Sequence, residues 1–288
     1  MQERTYDLFV YGTLRKGAGN HDFLKNARLL AEQCWINGEL YDTGDGYPVL
    51  KQSIAGKVYG EVYQVNDQEL ELIDRLEDYV VEGEDNLYER IEQTVHTDKG
   101  SIRAFVYVAG KQLESCQQLI RNGDWKEYML WKVEQPIYYF AYGSCMDNER
   151  FKQAGVDPFF QFVMGKGMLD GYTLRFTYPS ADGGKADIVE EGGTVEGKVY
   201  IIDQETLHYL YEREGVAKGV YRPTFVSVQL KSKQRIEALT FVVVDKKAET
   251  APSENYALEI VRGGTNCVNE KYLMKIKEHI TSLVEEST

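Results

Sequence analysis

The chain has 288 residues, 43% of them hydrophobic, which is enough for a sizeable core and favours two domains over one. Its 46 acidic against 33 basic residues give a formal net charge of −13, so a nucleic-acid backbone is repelled and no basic stripe offsets this. Four widely spaced cysteines (Cys34, Cys116, Cys145, Cys267), a polar start at Met1-Gln2-Glu3-Arg4 and no long apolar run argue against a disulfide scaffold, a targeting signal and a membrane span, and so for a cytoplasmic protein.

In chain order, Tyr6 to Val10 is strand-like and ends in the turn Tyr11-Gly12-Thr13-Leu14-Arg15. Arg28 to Trp35 and Glu39 to Tyr41 flank Asn37-Gly38, a hairpin signal. A Gly/Asp loop from Thr43 to Pro48 follows. Gly60-Glu61-Val62-Tyr63 then reads as a strand, and Asn66 caps a helix with Leu70, Ile73 and Leu76 on one face and Glu77 at its end. An acidic loop, Glu82-Gly83-Glu84-Asp85, leads to Tyr88 and to a hairpin of Ile91 to His96 with Ile102 to Val108. Lys111 to Trp131 reads as helical with a break at Asn122-Gly123, and Glu134-Gln135-Pro136 is the expected boundary between domains 1–133 and 137–288.

The order then repeats. Ile137 to Tyr142 is a strand, and Tyr142-Gly143-Ser144 mirrors Tyr11-Gly12-Thr13. Gly197-Lys198-Val199-Tyr200 feeds a helix capped by Asp203, with Leu207, Leu210 and Tyr211 on one face, ending Glu212-Arg213-Glu214-Gly215-Val216. The interval from Tyr200 to Glu214 equals that from Tyr63 to Glu77, and the two caps align as well, so two copies of one unit are expected. Thr224 to Leu230 pairs with Ile236 to Val244, and the second copy adds Pro252 to Val261 and a last helix from Glu270 to Val284. Asp182-Gly183-Gly184-Lys185-Ala186-Asp187 lacks P-loop spacing and reads as a plain loop. Many strands and few helices predict an α+β fold of two small curled sheets or barrels.

The repeated unit ends by presenting a carboxylate. A helix C-terminus carries the negative end of the macrodipole, which disfavours an ionised acid and suits a base whose pKa must rise. Taken alone, a Glu in a last helical turn is most often solvated, and Tyr88, Tyr221 and Tyr256 could each be core aromatics. The repeated spacing and the two Tyr-Gly turns move Glu77 and Glu214 toward catalysis.

At these residues the chain resembles the γ-glutamylcyclotransferase family. The resemblance rests on Tyr-Gly-Ser after the first strand, Gly-x-Val-Tyr, a helix ending Glu-Gly-Val and a following Tyr, in order and twice. The first half is more similar to the γ-glutamylamine cyclotransferase branch through Val10 to Gly17 and Tyr47-Pro48, and the second to the branch acting on γ-glutamyl peptides. The family likeness implies two tandem domains, each a five- to six-stranded mixed β-barrel with flanking helices, and neither metal nor cofactor. It implies a small-molecule γ-glutamyl substrate held by Tyr11, Gly12, Thr13 and Leu14 with Glu77 as acid/base, and by Tyr142, Gly143, Ser144, Cys145 and Met146 with Glu214, Tyr256 closing over the second site. No nucleic-acid or membrane partner is implied. Two positions depart from the family pattern: Cys145 stands where Asn is usual, and Asp78 follows Glu77 where Gly is usual.

The chemistry suits these residue types independently. A γ-glutamyl group brings its own nucleophile, the α-amine, so a folded substrate reacts intramolecularly, an advantage of about 7–11 kcal/mol at best. A raised-pKa Glu can take the proton of the ammonium and deliver it to the leaving amine, and amides of the Gly turn can nest the α-carboxylate. The expected products are 5-oxoproline and a free amine or amino acid, a lyase or acyltransferase reaction. The acidic loop Glu82 to Asp85, with Asp74 and Asp78 near Glu77, predicts a cationic leaving amine in the first half, and the loop's counterpart Ala217-Lys218-Gly219-Val220 tolerance of a carboxylate in the second. A non-catalytic γ-glutamyl binder and a biosynthetic enzyme that removes a γ-glutamyl protecting group are the alternatives. No His is spaced to activate Cys145, so a buried filler is expected there.

Overall fold

The computed structural model describes residues 4–132 and 135–286. Contacts divide the chain into two units, residues 1–133 and 134–288. Of the expected boundary residues, Glu134 lies outside those described.

The first unit runs β1 (Thr5–Val10), β2 (Arg28–Asn37), β3 (Glu39–Asp42), β4 (Pro48–Lys51), β5 (Lys57–Asn66), α1 (Asp67–Leu76), β6 (Tyr88–Thr97), β7 (Gly100–Ala109), β8 (Gln118–Ile120) and α2 (Trp125–Leu130). Five of these strands close a barrel in the order β1-β5-β2-β6-β7, and β4-β3-β8 form a separate small sheet. All the barrel pairings are antiparallel except the β1–β7 closure, at Leu8 against Phe105.

The second unit runs β9 (Ile137–Ala141), α3 (Asn148–Gln153), β10 (Val163–Asp170), β11 (Thr173–Ser180), β12 (Gly183–Val189), β13 (Thr194–Ile202), α4 (Gln204–Arg213), β14 (Tyr221–Leu230), β15 (Arg235–Val243), α5 (Glu254–Gly264) and α6 (Glu270–Glu286). Its barrel, β10-β13-β9-β15-β14, has the same order, and β9 and β15 supply the parallel pair. The fold is thus two five-stranded mixed barrels with flanking helices.

The glycine of each Gly-x-Val-Tyr sequence has a packing cause. A Cβ on Gly60 would lie 2.3 Å from the Val10 carbonyl oxygen and 2.6 Å from the Phe9 ring; one on Gly197 would lie 2.3 Å from the Ala141 oxygen and 2.8 Å from Phe140. Each barrel packs a fully buried Phe against a strand that must stay bare there. The helix after that strand starts at a built cap: Asn66 accepts from the Glu69 N–H in a reciprocal capping box, and Asp203 accepts from the Thr206 N–H. Leu70 and Ile73, and Leu207 and Leu210, anchor α1 and α4 in the cores.

Three local expectations change. Asn37-Gly38 makes no hairpin, because neither residue takes the positive φ that such a turn requires. Instead β2 pairs with β5 and β6, the Gly38 N–H donates to Gly56 O at 3.1 Å, and β3 leaves for the small sheet. Lys111 to Trp131 is not one broken helix: Gln118–Ile120 adds as a strand to β3, and only Trp125–Leu130 is α-helical, capped by Asp124. An open sheet edge outweighs a weak helix propensity. Asp182 to Asp187 is not a plain loop, since Gly183 opens β12, paired with β11.

Candidate functional site

In the first unit, β1 delivers Tyr11 to Leu14, and α1 delivers Glu77, to one cavity of about 470 Å³, also lined by Tyr47, Pro48, Leu76, Tyr88 and Tyr107. Glu77 is the C-cap of α1, and its carboxyl, with no ion pair among the described residues, is pushed up to about 7 by burial. The Tyr11 hydroxyl donates to Tyr107 O at 2.8 Å and accepts from the Leu50 N–H at 3.3 Å. Tyr88 donates to Pro48 O at 2.9 Å. The turn is tied by Arg15 N–H to Gly12 O at 3.1 Å and by Asn20 N–H to Thr13 O at 2.9 Å, while the N–H groups of Thr13 and Leu14 take no hydrogen bond among the described residues. Beneath the turn, the buried Arg15 meets Asp124 at 2.8 Å and Glu61 at 3.2 Å; Glu61 also accepts from the Lys16 N–H and the Tyr63 hydroxyl.

In the second unit, Tyr142 to Cys145 and Glu214 line a cavity of about 560 Å³. The frame is the same. Tyr142 donates to Phe241 O at 2.5 Å, and Tyr221 donates to Ala186 O at 2.7 Å. Glu214 is the C-cap of α4, and Gly215 leaves it at φ 64°. Tyr256, on α5, reaches this cavity, where its hydroxyl accepts from the Ala186 N–H at 3.2 Å. Met146 is the one expected residue that stays outside. It is buried under Gly263, its N–H donates to Gly143 O at 3.1 Å, and its carbonyl accepts from Lys198 Nζ at 2.6 Å.

The electrostatics of the second cavity differ. Burial raises the Glu214 pKa, while Arg213, Arg150 and the Cys145 thiol lower it. Arg213 lies 3.5 Å from the Glu214 carboxylate and donates to the Ser144 hydroxyl at 3.1 Å. The Cys145 thiol donates to Glu214 at 3.7 Å, a contact that a search for a nearby His overlooks. Arg150, Arg213 and Lys185 were not read as site residues. The aligned repeat carried the signal, since Arg150 replaces Gly19 and Arg213 replaces Leu76. The acidic loop, Asp74 and Asp78, all expected to bias the first site, do not line its cavity, Asp74 being paired with Arg90, whereas Lys218 lines the second. Among the described residues, no group of His, Cys, Asp and Glu is placed to hold a metal, and no helix is long and apolar enough to cross a membrane.

Residues 8–127 match the family described as gamma-glutamyl cyclotransferase, AIG2-like, and residues 194–276 match the AIG2-like family. YkqA of Bacillus subtilis is 42% identical over 278 residues, covering 96% of this chain and 98% of that one. The chain belongs to the γ-glutamylcyclotransferase family. The crystal structure of YkqA superposes with a TM-score of 0.87 over 97% of this chain and 99% of that chain, so the tandem arrangement is a feature of both. A second relative in the family, the gamma-L-glutamyl-butirosin B gamma-glutamyl cyclotransferase of Niallia circulans, is 42% identical over 129 residues, 43% of this chain and 78% of its own.

Proposed function

We propose that each cavity is a γ-glutamylcyclotransferase site that releases 5-oxoproline and a free amine or amino acid. The observation that carries this reading is a half-buried helix-end Glu lining one cavity with a Tyr-Gly turn, present twice with matching hydrogen bonds.

In this reading the turn N–H groups of Thr13 and Leu14, or of Ser144 and Cys145, donate to the substrate's α-carboxylate. Fixing that end folds the γ-glutamyl chain so that its α-nitrogen meets its own γ-carbonyl carbon. Glu77 or Glu214 takes a proton from the α-ammonium. The freed amine forms the new C–N bond, and the same Glu gives that proton to the departing nitrogen as the old C–N bond breaks. It then passes the second proton, shed by the ring nitrogen, to the released amine, which leaves as an ammonium. No water is consumed and the proton count closes. A carboxyl near 7 suits both halves of that exchange, because it takes and gives a proton at similar cost. In this reading Tyr256 and Tyr47, which line the two cavities, cover the bound substrate. The experiment is to incubate the full chain with a panel of γ-glutamyl amines and dipeptides and measure 5-oxoproline. Tight binding without release would favour a binding protein instead.

A further inference from the structure

The two cavities share a frame and differ in charge. Among the described residues lining the first there is no Lys or Arg, whereas Arg150, Arg213, Lys185 and Lys218 line the second. Lys185 is matched by Asp182 at 2.7 Å. The arginines are matched poorly. The Arg150 side chain is 8% exposed, and its nearest carboxylate, Glu259, stands 3.9 Å away. Its other contacts are neutral, the Tyr209 hydroxyl at 3.3 Å and the Cys145 sulfur at 4.0 Å. Arg213, which is only partly buried, has the Ser144 hydroxyl at 3.1 Å, the Cys145 sulfur and, at 3.5 Å, Glu214. A buried guanidinium offers five donors and is ordinarily met at close range by carboxylate. Arg15 shows that norm in this same chain, with Asp124 at 2.8 Å and Glu61 at 3.2 Å.

We propose that Arg150 and Arg213 are specificity-determining residues that make the second site select γ-glutamyl donors whose departing portion bears a carboxylate, the first site taking donors with a neutral or cationic departing portion. This rests on the cyclotransfer reading above. The γ-glutamyl end is common to every substrate, and both cavities meet it with the same turn and the same tyrosines. The added cations therefore answer to the part that varies. They flank Glu214, which must reach the departing nitrogen, so they lie where a carboxylate attached one carbon from that nitrogen would fall. The acidic loop Glu82 to Asp85 plays no part, being outside the cavity.

The test compares γ-glutamyl-alanine with γ-glutamyl-alaninamide, which differ in the charge of the departing portion. Full-length Glu77→Gln reports the second site, and full-length Glu214→Gln the first. Dividing the acid-to-amide ratio of kcat/KM in one chain by that in the other cancels the intrinsic reactivities of the two compounds. The quotient should favour the acid at the second site by about tenfold or more. Arg150→Met and Arg213→Leu, each added to Glu77→Gln, should bring it toward one, and Arg150→Lys should keep part of it. A quotient of one in the parent pair, or one left unmoved by Arg150→Met in a folded chain, overturns the proposal. If neither parent releases 5-oxoproline, the cyclotransfer reading fails separately. Calorimetry with the two compounds then decides charge selection: tighter binding of the acid that Arg150→Met removes supports it, and equal affinities overturn it.

Discussion

Set side by side, the two cavities keep their frame and exchange their walls. Tyr11 and Tyr142 each donate to a carbonyl of the barrel strand that closes the parallel pair, and Tyr88 and Tyr221 each donate to the carbonyl at the opposite rim. Behind the frame the supports are unrelated. In the first half Arg15 and Glu61 make a buried ion pair under the turn; in the second the aligned residues are Met146 and Lys198, and the lysine holds a carbonyl. The lesson is that the geometry of the turn and the Glu is what both halves keep, while the means of holding it are interchangeable.

The sharpest way to break the comparison is to silence one side. Glu77→Gln and Glu214→Gln should each lower turnover at its own site by about 10²–10⁴-fold, and the double variant should release no 5-oxoproline above background. If one substitution removed activity on every substrate and the other changed nothing, only one half would be a working site. The supports come next. Arg15→Met strands Glu61 and Asp124 in the core and should cost the first half about 3–5 kcal/mol. All three tryptophans, Trp35, Trp125 and Trp131, lie in the first half, so denaturation followed by tryptophan fluorescence reads this loss where it occurs. An unchanged midpoint would mean the ion-pair cluster is dispensable.

Much of this was legible in the sequence because repetition doubles every signal: the strand, the cap, the Glu and the Tyr-Gly turn recur at matched spacing. What was not legible depends on tertiary pairing. Asn37-Gly38 looks like a turn locally, but Gly38 is bare because Leu50 packs 2.5 Å from where its Cβ would be. Lys185 and Ala186 belong to the second site because β12 carries them beside Tyr256 and Tyr221, which a local reading of a Gly-rich stretch cannot foresee. Met146 aligned with the motif, yet its side chain faces the core.

A pH scan sharpens the contrast between an isolated carboxyl and one flanked by arginines. Burial raises Glu77 to about 7, so between the ordinary value near 4.5 and 7 the unfolded chain gives up a proton that the folded chain keeps. The stability associated with this group is present in full below 4.5 and lost as pH rises through 7. Glu77→Gln should therefore gain about 1–3 kcal/mol over the parent at pH 8 and nothing of this kind at pH 4. First-site kcat should fall on the acid side of about 7 as the base protonates. At the second site Arg213→Leu removes a charge that lowers the Glu214 pKa, so the acid limb of its profile should move to higher pH. An unmoved limb would show that another group titrates there.

Cys145 offers a smaller test. The substrate supplies its own nucleophile, so Cys145→Ser should change second-site kcat/KM by no more than about threefold. An acyl-thioester caught by mass spectrometry would replace cyclotransfer at that site with covalent catalysis.

The last contrast is a single backbone position. Each helix is left through a residue in the left-handed region, Gly215 at φ 64° in the second half and Asp78 at φ 48° in the first. An L-residue there meets its own carbonyl and costs roughly 1–2 kcal/mol, a penalty that Asp softens and Gly avoids at the expense of a more flexible unfolded chain. The Asp78 side chain is exposed and outside the cavity, so it has no contact there to lose. Asp78→Gly should therefore stabilise the first half by about 0.5 kcal/mol, read by tryptophan fluorescence, and leave first-site kcat within about twofold. A loss of stability would mean that flexibility of the unfolded chain outweighs the strain. A large fall in kcat with the fold intact would mean instead that Asp78, by its charge, helps to set the proton affinity of Glu77, so that both sites would be tuned by a neighbouring charge, upward in the first and downward in the second.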